Sequence, residues 1–310
     1  MKPITLLGIP LDLGAENLGV DIAPNAFRYQ NIKGKLASSG LAVGDLGNIT
    51  CTARATLSVG NPKLKYAEEI VRVSEESAKT VFNAVRKKER MIVLGGDHSI
   101  SLGVLSGASD ALQGDIGLIY CDTHGDMNTD KTTLTGNIHG MHLASLMGFG
   151  NKRLVGIHSP SVKIDKKNLL HIGANDLDRA EMDLMKKEQI PCYRMFDMLS
   201  YGLAPLLQLI DALQTRVRAV WVSLDLDVID TVYAPGVGMQ NKAGLTYREI
   251  TTIAQYIGEH CNVIGLDVVE YNPLQDIDGK TAELSIELMA KFFGTNYSWY
   301  THYLEKNKIE

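Results

Sequence analysis

Tyr120-Cys121-Asp122-Thr123-His124-Gly125-Asp126-Met127-Asn128 is the stretch on which the interpretation of this chain depends. It completes an apolar run, residues 116–121, that is typical of a buried strand. Side chains alternate between the two faces of an extended segment, so Asp122, His124 and Asp126 are predicted to project to one side. Such a cluster of carboxylate and imidazole groups predicts a bound cation.

A second stretch, residues 222–230, repeats the pattern with Asp225 and Asp227 behind an apolar run. Two such strand ends supply more carboxylate than one divalent ion neutralises, which indicates a dinuclear site. A third stretch, residues 94–99, places His98 just after another apolar strand.

Each stretch taken alone has an ordinary structural explanation. An Asp at a strand end is usually a turn or cap residue, a single His is usually a satisfied polar group, and Gly95-Gly96 alone indicates only a turn. All three stretches, however, lie where an apolar strand ends and a loop begins. Ligands bind at that edge of an open parallel sheet, so together the stretches favour one shared site.

The 310 residues are 45% hydrophobic and carry a formal net charge of -5. This composition is ordinary for a globular α/β protein, and without a linker or an internal repeat residues 1–310 are predicted to form one domain. A negative charge without a long basic run argues against nucleic acid or an anionic membrane as partner and favours a small molecule. No secretory signal and no membrane-spanning run is found, which predicts a cytoplasmic protein.

Apolar strand-like segments alternate with helix-like segments along the chain. The predicted strands are 4–10, 91–94, 116–121, 169–173, 219–226 and 263–269. The predicted helices are 24–36, 66–89, 101–112, 180–188, 205–216, one opened by Thr246 and Glu249 at capping-box spacing, and 280–293. Repeated strand and helix units predict one parallel sheet that is covered by helices on both faces.

A long polar loop follows the first stretch. Residues 128–140 are rich in hydroxyl and amide side chains, and long loops at this edge of a sheet often carry function. Asp178 precedes the predicted helix at 180–188. On local grounds Asp178 is better explained as the helix N-cap than as a site residue.

Four motifs together resemble the ureohydrolase family, in the order in which that family carries them. They are Gly-Gly-Asp-His-Ser at 95–99, Asp-Thr-His-Gly-Asp at 122–126, Ser-Leu-Asp-Leu-Asp at 223–227 and Glu-Tyr-Asn-Pro at 270–273. The resemblance implies an α/β protein with a three-layer αβα, arginase-like fold around a central, mostly parallel sheet of about eight strands. It also implies two Mn2+ ions per subunit at the carboxyl ends of the strands.

Motif matching also implies which residues hold the two ions. One ion would be held by His98, Asp122, Asp126 and Asp225, and the other by Asp122, His124, Asp225 and Asp227. Carboxylate and imidazole ligands without thiolate suit manganese, although ligand type alone leaves iron, cobalt or nickel open. Two ions that share a water lower its pKa toward neutrality and make hydroxide available for attack.

The loop after the first motif is similar to the loop of arginases within this family. Positions that would hold the α-carboxylate and the α-amino group of arginine are Asn128, Thr135 and Asn137, with Asp178 facing the amino group. Neutral donors suit a carboxylate, and an anionic acceptor suits an ammonium group. Agmatine has no carboxylate and would leave these donors unpaired, which favours the amino acid as substrate.

The resemblance therefore implies an enzyme, a hydrolase of linear amidines that converts L-arginine to L-ornithine and urea. A hydroxide that bridges the two ions would attack the guanidinium carbon, Glu270 would pair with the guanidinium and orient it, and Asp126 would relay the proton to the departing amine. His139 would exchange protons with solvent, a role that suits a group titrating near neutrality. A homo-oligomer, either a trimer or a hexamer, is also implied.

Two segments depart from the family pattern. After Asp230, arginases usually carry a proline and then Thr-Gly-Thr-Pro, whereas this chain has Thr231 and, at 237–240, Val-Gly-Met-Gln. Met239 thus replaces a hydroxyl near the guanidinium end, and a pliable apolar side chain there suits an alkylated guanidine or weakens arginine binding. Leu18 replaces an arginine of bacterial arginases. Hydrolysis of another guanidino compound (an N-substituted arginine, guanidinobutyrate or agmatine) and a catalytically silent family member stay open as alternatives.

Overall fold

A computed structural model describes residues 3–295 of the chain. The strands in this range are β1 (Ile4–Gly8), β2 (Val43–Asn48), β3 (Gly60–Asn61), β4 (Leu64–Lys65), β5 (Arg90–Leu94), β6 (Ile116–Cys121), β7 (Leu169–Ile172), β8 (Cys192–Tyr193), β9 (Ala219–Asp225) and β10 (Val263–Val269). Strands β3 and β4 form a short antiparallel pair, and the other eight form one sheet in the order β2-β1-β5-β10-β9-β6-β7-β8. Every pair in the larger sheet is parallel, so the predicted sheet is confirmed.

Helices cover both faces of this sheet. They are α1 (Ala23–Tyr29), α2 (Ile32–Ser38), α3 (Ala67–Arg86), α4 (Ser101–Ala111), α5 (His142–Leu146), α6 (Lys152–Val155), α7 (Arg179–Glu188), α8 (Met195–Tyr201), α9 (Ala204–Arg216), α10 (Tyr247–His260) and α11 (Lys280–Phe292). One hydrophobic core lies under α3 to α7, and the other lies under α1, α2 and α8 to α11. The result is the predicted three-layer αβα arrangement. Within residues 3–295, no helix combines the length and the apolar character that a bilayer crossing requires.

The alternation of side chains along β9 shows how one strand serves both cores. Val220 and Val222 belong to the core under α9 to α11, whereas Trp221 between them belongs to the core under α3 and α4. All three side chains are fully buried. A strand that is buried on both faces has to be apolar at every position, which is why these strands can be read from the sequence as continuous apolar runs.

The predicted helix at 24–36 is in fact two helices, α1 and α2. Asn31 between them has a left-handed backbone with φ of 55°, and its side chain accepts a hydrogen bond from the backbone N–H of Gly34. Asparagine adopts this conformation more readily than most residues, and here it ends one helix and caps the next.

Two edge strands of the sheet, β2 and β8, were not among the predicted strands. Strand β2 reads Val-Gly-Asp-Leu-Gly-Asn and is largely exposed, and β8 has only two residues. Neither carries the apolar run or the clean alternation by which a strand is recognised in a sequence. Both lie at the edges of the sheet, away from the predicted site.

The prediction that extended backbone projects Asp122, His124 and Asp126 to one side is wrong. Strand β6 ends at Cys121, and Asp126 has a left-handed backbone with φ of 49°. Likewise β9 ends at Asp225, and Leu226–Val228 is a turn of 3-10 helix. The polar side chains are therefore brought together by the last residue of β9 and by the loops that follow the strands, and not by strand alternation.

The strand order places the loops with polar motifs next to one another. Strands β5, β10, β9 and β6 are consecutive neighbours in the sheet, although they are far apart in the sequence. Gly96, in the loop after β5, is needed because a Cβ at this position would lie 1.9 Å from the carbonyl oxygen of Leu11. The single domain over residues 1–310 stays a prediction, and it is supported by the presence of β1 and β10 in one sheet.

Candidate metal centre and substrate cavity

His98 lies at the centre of a buried group of carboxylates. Its Nδ1 atom is 3.1 Å from Asp122 Oδ2, 3.1 Å from Asp225 Oδ2 and 3.5 Å from Asp126 Oδ2. Burial disfavours the charged imidazole, but hydrogen bonds to Asp122 and Asp225 outweigh burial and hold the pKa of His98 well above its usual value. The loops after β5 and β6 and the last residue of β9 thus deliver four predicted ligands to one point.

The other ring nitrogen of His98 faces away from the carboxylates. His98 Nε2 lies 2.9 Å from Ser223 Oγ, and Ser223 donates in turn to Asp267 Oδ2 at 2.6 Å. Because the Ser223 hydrogen goes to Asp267, Ser223 Oγ can only accept, so His98 Nε2 carries the hydrogen. This contact orients the ring with Nδ1 toward the carboxylates, which is how proteins usually orient a metal-binding histidine.

His124 forms the second half of the cluster. Its Nδ1 atom is 3.0 Å from Asp227 Oδ2 and 3.5 Å from Asp122 Oδ1. The backbone N–H of His124 donates to Asp122 Oδ1, and the backbone N–H of Asp227 donates to Asp225 Oδ1, so each loop fixes its own carboxylate. Asp227 Oδ1 is buried and has no hydrogen-bond partner within residues 3–295. An unsatisfied buried carboxylate oxygen is costly and fits a position that faces a cation.

The electrostatics of the cluster also fit bound cations. Burial and the charge of Asp122 raise the pKa of Asp126 to about 8, and burial and Asp227 raise the pKa of Asp225 well above its usual value. Carboxylates packed this closely repel one another, and divalent cations would neutralise them. The described residues include three groups that could hold a metal ion: His98, Asp122 and Asp225; Asp122, His124 and Asp227; and His98, Asp126 and His142.

A cavity of about 420 Å³ opens over this cluster. It is lined by the predicted site residues His124, Asp126, Thr135, Asn137, His139, Asp178, Asp225, Asp227 and Glu270 and also by Met239. His98 and Asp122 lie fully buried beneath it. Most of the residues singled out in the sequence therefore meet in one cavity, whereas their individual roles stay predictions.

Glu270 and His139 lie together in this cavity. Glu270 Oε1 accepts a hydrogen bond from the backbone N–H of His98 at 2.9 Å and lies 3.6 Å from His139 Nδ1. Burial disfavours the charged form of His139, but the contact with Glu270 outweighs it and raises the pKa of His139 to about 9. Glu270 has a left-handed backbone with φ of 62°, a conformation that costs free energy and is concentrated at functional sites.

Asp178 is both a helix cap and a cavity residue. Its Oδ1 atom accepts from the backbone N–H of Glu181 at 3.0 Å, which caps α7, and its Oδ2 atom accepts from Asn128 Nδ2 at 2.6 Å. The two explanations of Asp178 are thus compatible, since each uses a different oxygen. Asn128 does not line the cavity, and its amide group is committed to Asp178 and to the hydroxyl of Thr132.

Several residues of the site were not recognised in the sequence. The cavity is also lined by Glu16, Asp176 and Glu181, and Lys65 contacts both Glu16 and Asn137. Tyr120 and His142 are buried directly against the metal-binding cluster. Tyr120 was recognised only as part of an apolar strand, and His142 has no motif around it that would have singled it out.

Comparisons with known proteins agree with this fold. The model described as "Arginase family" matches residues 2–294. An arginase of Bacillus caldovelox is 36% identical over 296 residues, which cover 95% of this chain and 99% of the relative. An arginase of Brevibacillus brevis is 35% identical over 294 residues, which cover 94% and 98%.

Solved structures give the same result. The native structure of the Bacillus caldovelox arginase matches with a TM-score of 0.91 and covers 95% of this chain and 99% of its own. An arginase structure from Bacillus cereus matches with a TM-score of 0.88 at 34% identity, with the same coverage. Fold, motifs and relatives define a hydrolase that acts on carbon–nitrogen bonds of linear amidines. The chain belongs to the arginase family.

Proposed function

We propose that this enzyme hydrolyses the guanidinium group of L-arginine to L-ornithine and urea, with two Mn2+ ions per subunit. The proposal rests on the set of side chains that the cavity brings together. The cavity has the buried carboxylates, which suit metal ions, and Glu270, which suits a guanidinium group. The cavity is also lined by Asp178, Asn137 and Thr135, which suit the charged α-amino and α-carboxylate groups of an amino acid.

In this proposal one ion is held by His98, Asp122, Asp126 and Asp225, and the other by Asp122, His124, Asp225 and Asp227. Oxygen-rich sites with imidazole and without thiolate suit manganese. When bound, such a metal pair lowers the pKa of a shared water toward neutrality and so supplies the nucleophile for the guanidinium carbon.

The protein's own side chains carry the remaining steps. Glu270, held by the backbone N–H of His98, accepts hydrogen bonds from the guanidinium group and orients its carbon toward the carboxylate cluster. Asp126 takes the proton of the attacking water and delivers it to the departing amine. His139 lies in the same cavity with a quarter of its side chain exposed, and it exchanges protons with solvent.

The test is a substrate panel after reconstitution with manganese. Release of urea from L-arginine, agmatine and guanidinobutyrate, and of N-methylurea from N-methylarginine, is measured with the protein loaded with two ions and with the protein stripped by a chelator. We expect L-arginine to have the highest kcat/KM and the stripped protein to be inactive. Urea release from agmatine and none from L-arginine would refute the proposal.

A second candidate substrate is an N-substituted arginine, and Met239 favours it. Met239 lines the cavity with 45% of its surface exposed, and Gly238 beside it approaches Glu270. An unbranched thioether side chain can move to accommodate an additional alkyl group. A higher kcat/KM for N-methylarginine than for arginine in the same panel would support this second candidate. A homo-oligomer of three or six copies and a cytoplasmic location stay predictions.

A further inference from the structure

Tyr120 places a buried hydroxyl group against the proposed metal centre. Its Oη atom lies 2.7 Å from Asp122 Oδ2, 2.6 Å from Asp126 Oδ2 and 3.3 Å from His98 Nδ1. These three atoms are the same ones that converge in the His98 group described above. The ring of Tyr120 is stacked on the ring of His98 with an interplanar angle of 12°, so the hydroxyl cannot easily leave this position.

His142 also contacts this hydroxyl, and its ring centroid lies 4.2 Å from that of His98. Its Nδ1 atom is 2.6 Å from the carbonyl oxygen of His139, and a carbonyl can only accept, so Nδ1 carries the ring hydrogen. His142 Nε2 is therefore the nitrogen with the lone pair, and it lies 3.3 Å from Tyr120 Oη. His142 Nδ1 also lies 3.4 Å from Asp126 Oδ2, but its hydrogen is committed to the carbonyl oxygen of His139, so Nδ1 has no lone pair to offer to a cation.

The single hydrogen of the Tyr120 hydroxyl thus has three acceptors within reach. It cannot satisfy the carboxylates of Asp122 and Asp126 at the same time. A cation bound by these carboxylates would draw electron density from the oxygens that face it, and His142 Nε2 would then be the better acceptor. Once the hydrogen turns to His142, a lone pair of Tyr120 Oη faces the position between His98, Asp122 and Asp126.

We propose that Tyr120 is an additional oxygen ligand of the ion held by His98, Asp122, Asp126 and Asp225, and that His142 is the positioning residue that accepts its hydroxyl hydrogen. This inference rests on the metal-dependent function proposed above. The separations support it, because neighbouring ligand atoms around an octahedral ion lie about 3 Å apart. The chain thereby adds a neutral phenol oxygen to only one of the two ions.

The experiment measures manganese binding to the full-length protein and does not depend on the substrate. Metal-free wild type and Tyr120→Phe are titrated with Mn2+ by calorimetry, and the bound metal is counted after dialysis. We expect wild type to bind two ions. We expect Tyr120→Phe to bind one of them more weakly by at least the roughly 10- to 100-fold that is typical for losing a hydrogen-bond partner of a ligand, and the other within twofold. With limiting Mn2+, electron paramagnetic resonance should show an isolated ion in the variant and a coupled pair in wild type.

Tyr193→Phe is the matched control. Tyr193 is also buried, and its hydroxyl donates to the carbonyl oxygen of Gly202 at 2.7 Å, with no contact to the metal-binding cluster. This variant should bind both ions as wild type does. His142→Leu should weaken binding of the same ion that Tyr120→Phe affects. His142→Gln keeps an acceptor and should retain part of that affinity. The double variant Tyr120→Phe, His142→Leu should bind this ion no more weakly than Tyr120→Phe alone, because the two residues act as one unit.

The outcomes separate this inference from the proposed function. A wild-type protein that binds no manganese contradicts the metal-dependent function itself. Two ions in wild type with unchanged affinities in Tyr120→Phe overturn the Tyr120 assignment alone, and so does an equal loss for both ions. Near-UV circular dichroism of the metal-free variants checks the fold. Should Tyr120→Phe not fold, unchanged affinities in His142→Leu would overturn the pairing.

Discussion

Ser223 Oγ lies 2.9 Å from His98 Nε2, on the side of the imidazole that faces away from the carboxylates. Ser223 and Ser101 both donate to the buried Asp267, but among the two only Ser223 contacts His98. Ser223, on β9, thus orients the ring of His98. Asp267 in turn accepts hydrogen bonds from Ser223 and from Ser101, the first residue of α4. A conservative substitution of Ser223 should therefore weaken metal binding, although Ser223 is not itself a proposed metal ligand.

Ser223→Ala is expected to weaken manganese binding about 10- to 100-fold, because His98 loses the acceptor that orients its ring. Saturating metal should restore most of kcat. Ser101→Ala is the control, since it removes an equivalent donor to Asp267 and leaves the His98 contact intact. Titration of both metal-free variants with Mn2+ is the measurement, and equal affinities in the two variants would contradict the role given to Ser223.

Asp178→Asn and Asp178→Ala should separate helix capping from substrate binding. Asparagine caps a helix about as well as aspartate, so the loss of stability should be largest for the alanine variant, about 1 kcal/mol. Both variants lose the negative charge proposed to face the α-ammonium group, and KM for arginine should rise roughly 10-fold or more in both. Urea denaturation and steady-state kinetics measure the two effects.

Thr246→Ala is the control for Asp178. Thr246 caps α10 in a capping box with Glu249, just as Asp178 caps α7 with Glu181, but Thr246 does not line the cavity. Its loss should cost about 1 kcal/mol of stability and leave KM unchanged. An unchanged KM in Asp178→Asn would remove Asp178 from substrate binding.

Met239→Thr should shift substrate preference toward unmodified arginine. A hydroxyl near the guanidinium end offers a hydrogen bond that is worth about 1 kcal/mol, so kcat/KM for arginine relative to N-methylarginine should rise roughly fivefold. Val232→Thr introduces the same side chain at an exposed position that does not line the cavity, and it should leave the ratio unchanged. A constant ratio in Met239→Thr would show that this position does not select the substrate.

Glu69 should make folding stability depend on pH in the acid range. Hydrogen bonds from Arg72 and from the backbone N–H of Thr52 outweigh its burial and lower its pKa to about 2. Because the folded-state pKa lies below the unfolded value of about 4.3, the stabilisation is complete above that value and is lost as pH falls toward 2. Glu69→Gln should cost about 2 kcal/mol at pH 7, and the difference from wild type should shrink between pH 4.5 and pH 2.

The neighbouring Glu68 provides the matched control for Glu69. Glu68 pairs with Arg153 at the surface, with 87% of its side chain exposed. Exposed ion pairs contribute little, so Glu68→Gln should not change stability measurably at any pH. Urea denaturation of the metal-free proteins from pH 3 to pH 7 gives the comparison, and a Glu69→Gln difference that is the same at every pH would contradict the assignment.

Most of the fold could be predicted from hydrophobic patterning. The central strands are buried on both faces and so read as apolar runs, and α10 begins at the capping box that Thr246 and Glu249 predict. The break between α1 and α2 could not be predicted, because it depends on the left-handed backbone of Asn31. The edge strand β2 was missed because it is largely exposed and has almost no apolar pattern.

The candidate site was predicted in its residue types but not in its geometry. His98, Asp122, His124, Asp126, Asp225 and Asp227 were all singled out, and the structure brings them together, although not by the alternation of an extended strand. Tyr120 and His142 were missed because a tyrosine in an apolar strand and a histidine in a short helix have no local signal of function. Only the distances from Tyr120 to Asp122 and Asp126, and from His142 to Tyr120 and Asp126, single them out.

The sequence by itself determined the alternation of strands and helices, and it placed carboxylates and imidazoles at the ends of apolar runs. Tertiary structure decided which of those ends are neighbours, because the order of parallel strands is set by long-range packing and not by position along the chain. It also decided the left-handed backbone at Asp126 and Glu270, which the surrounding contacts have to stabilise. The cavity exists because β5, β10, β9 and β6 lie side by side and direct their loops to one edge of the sheet.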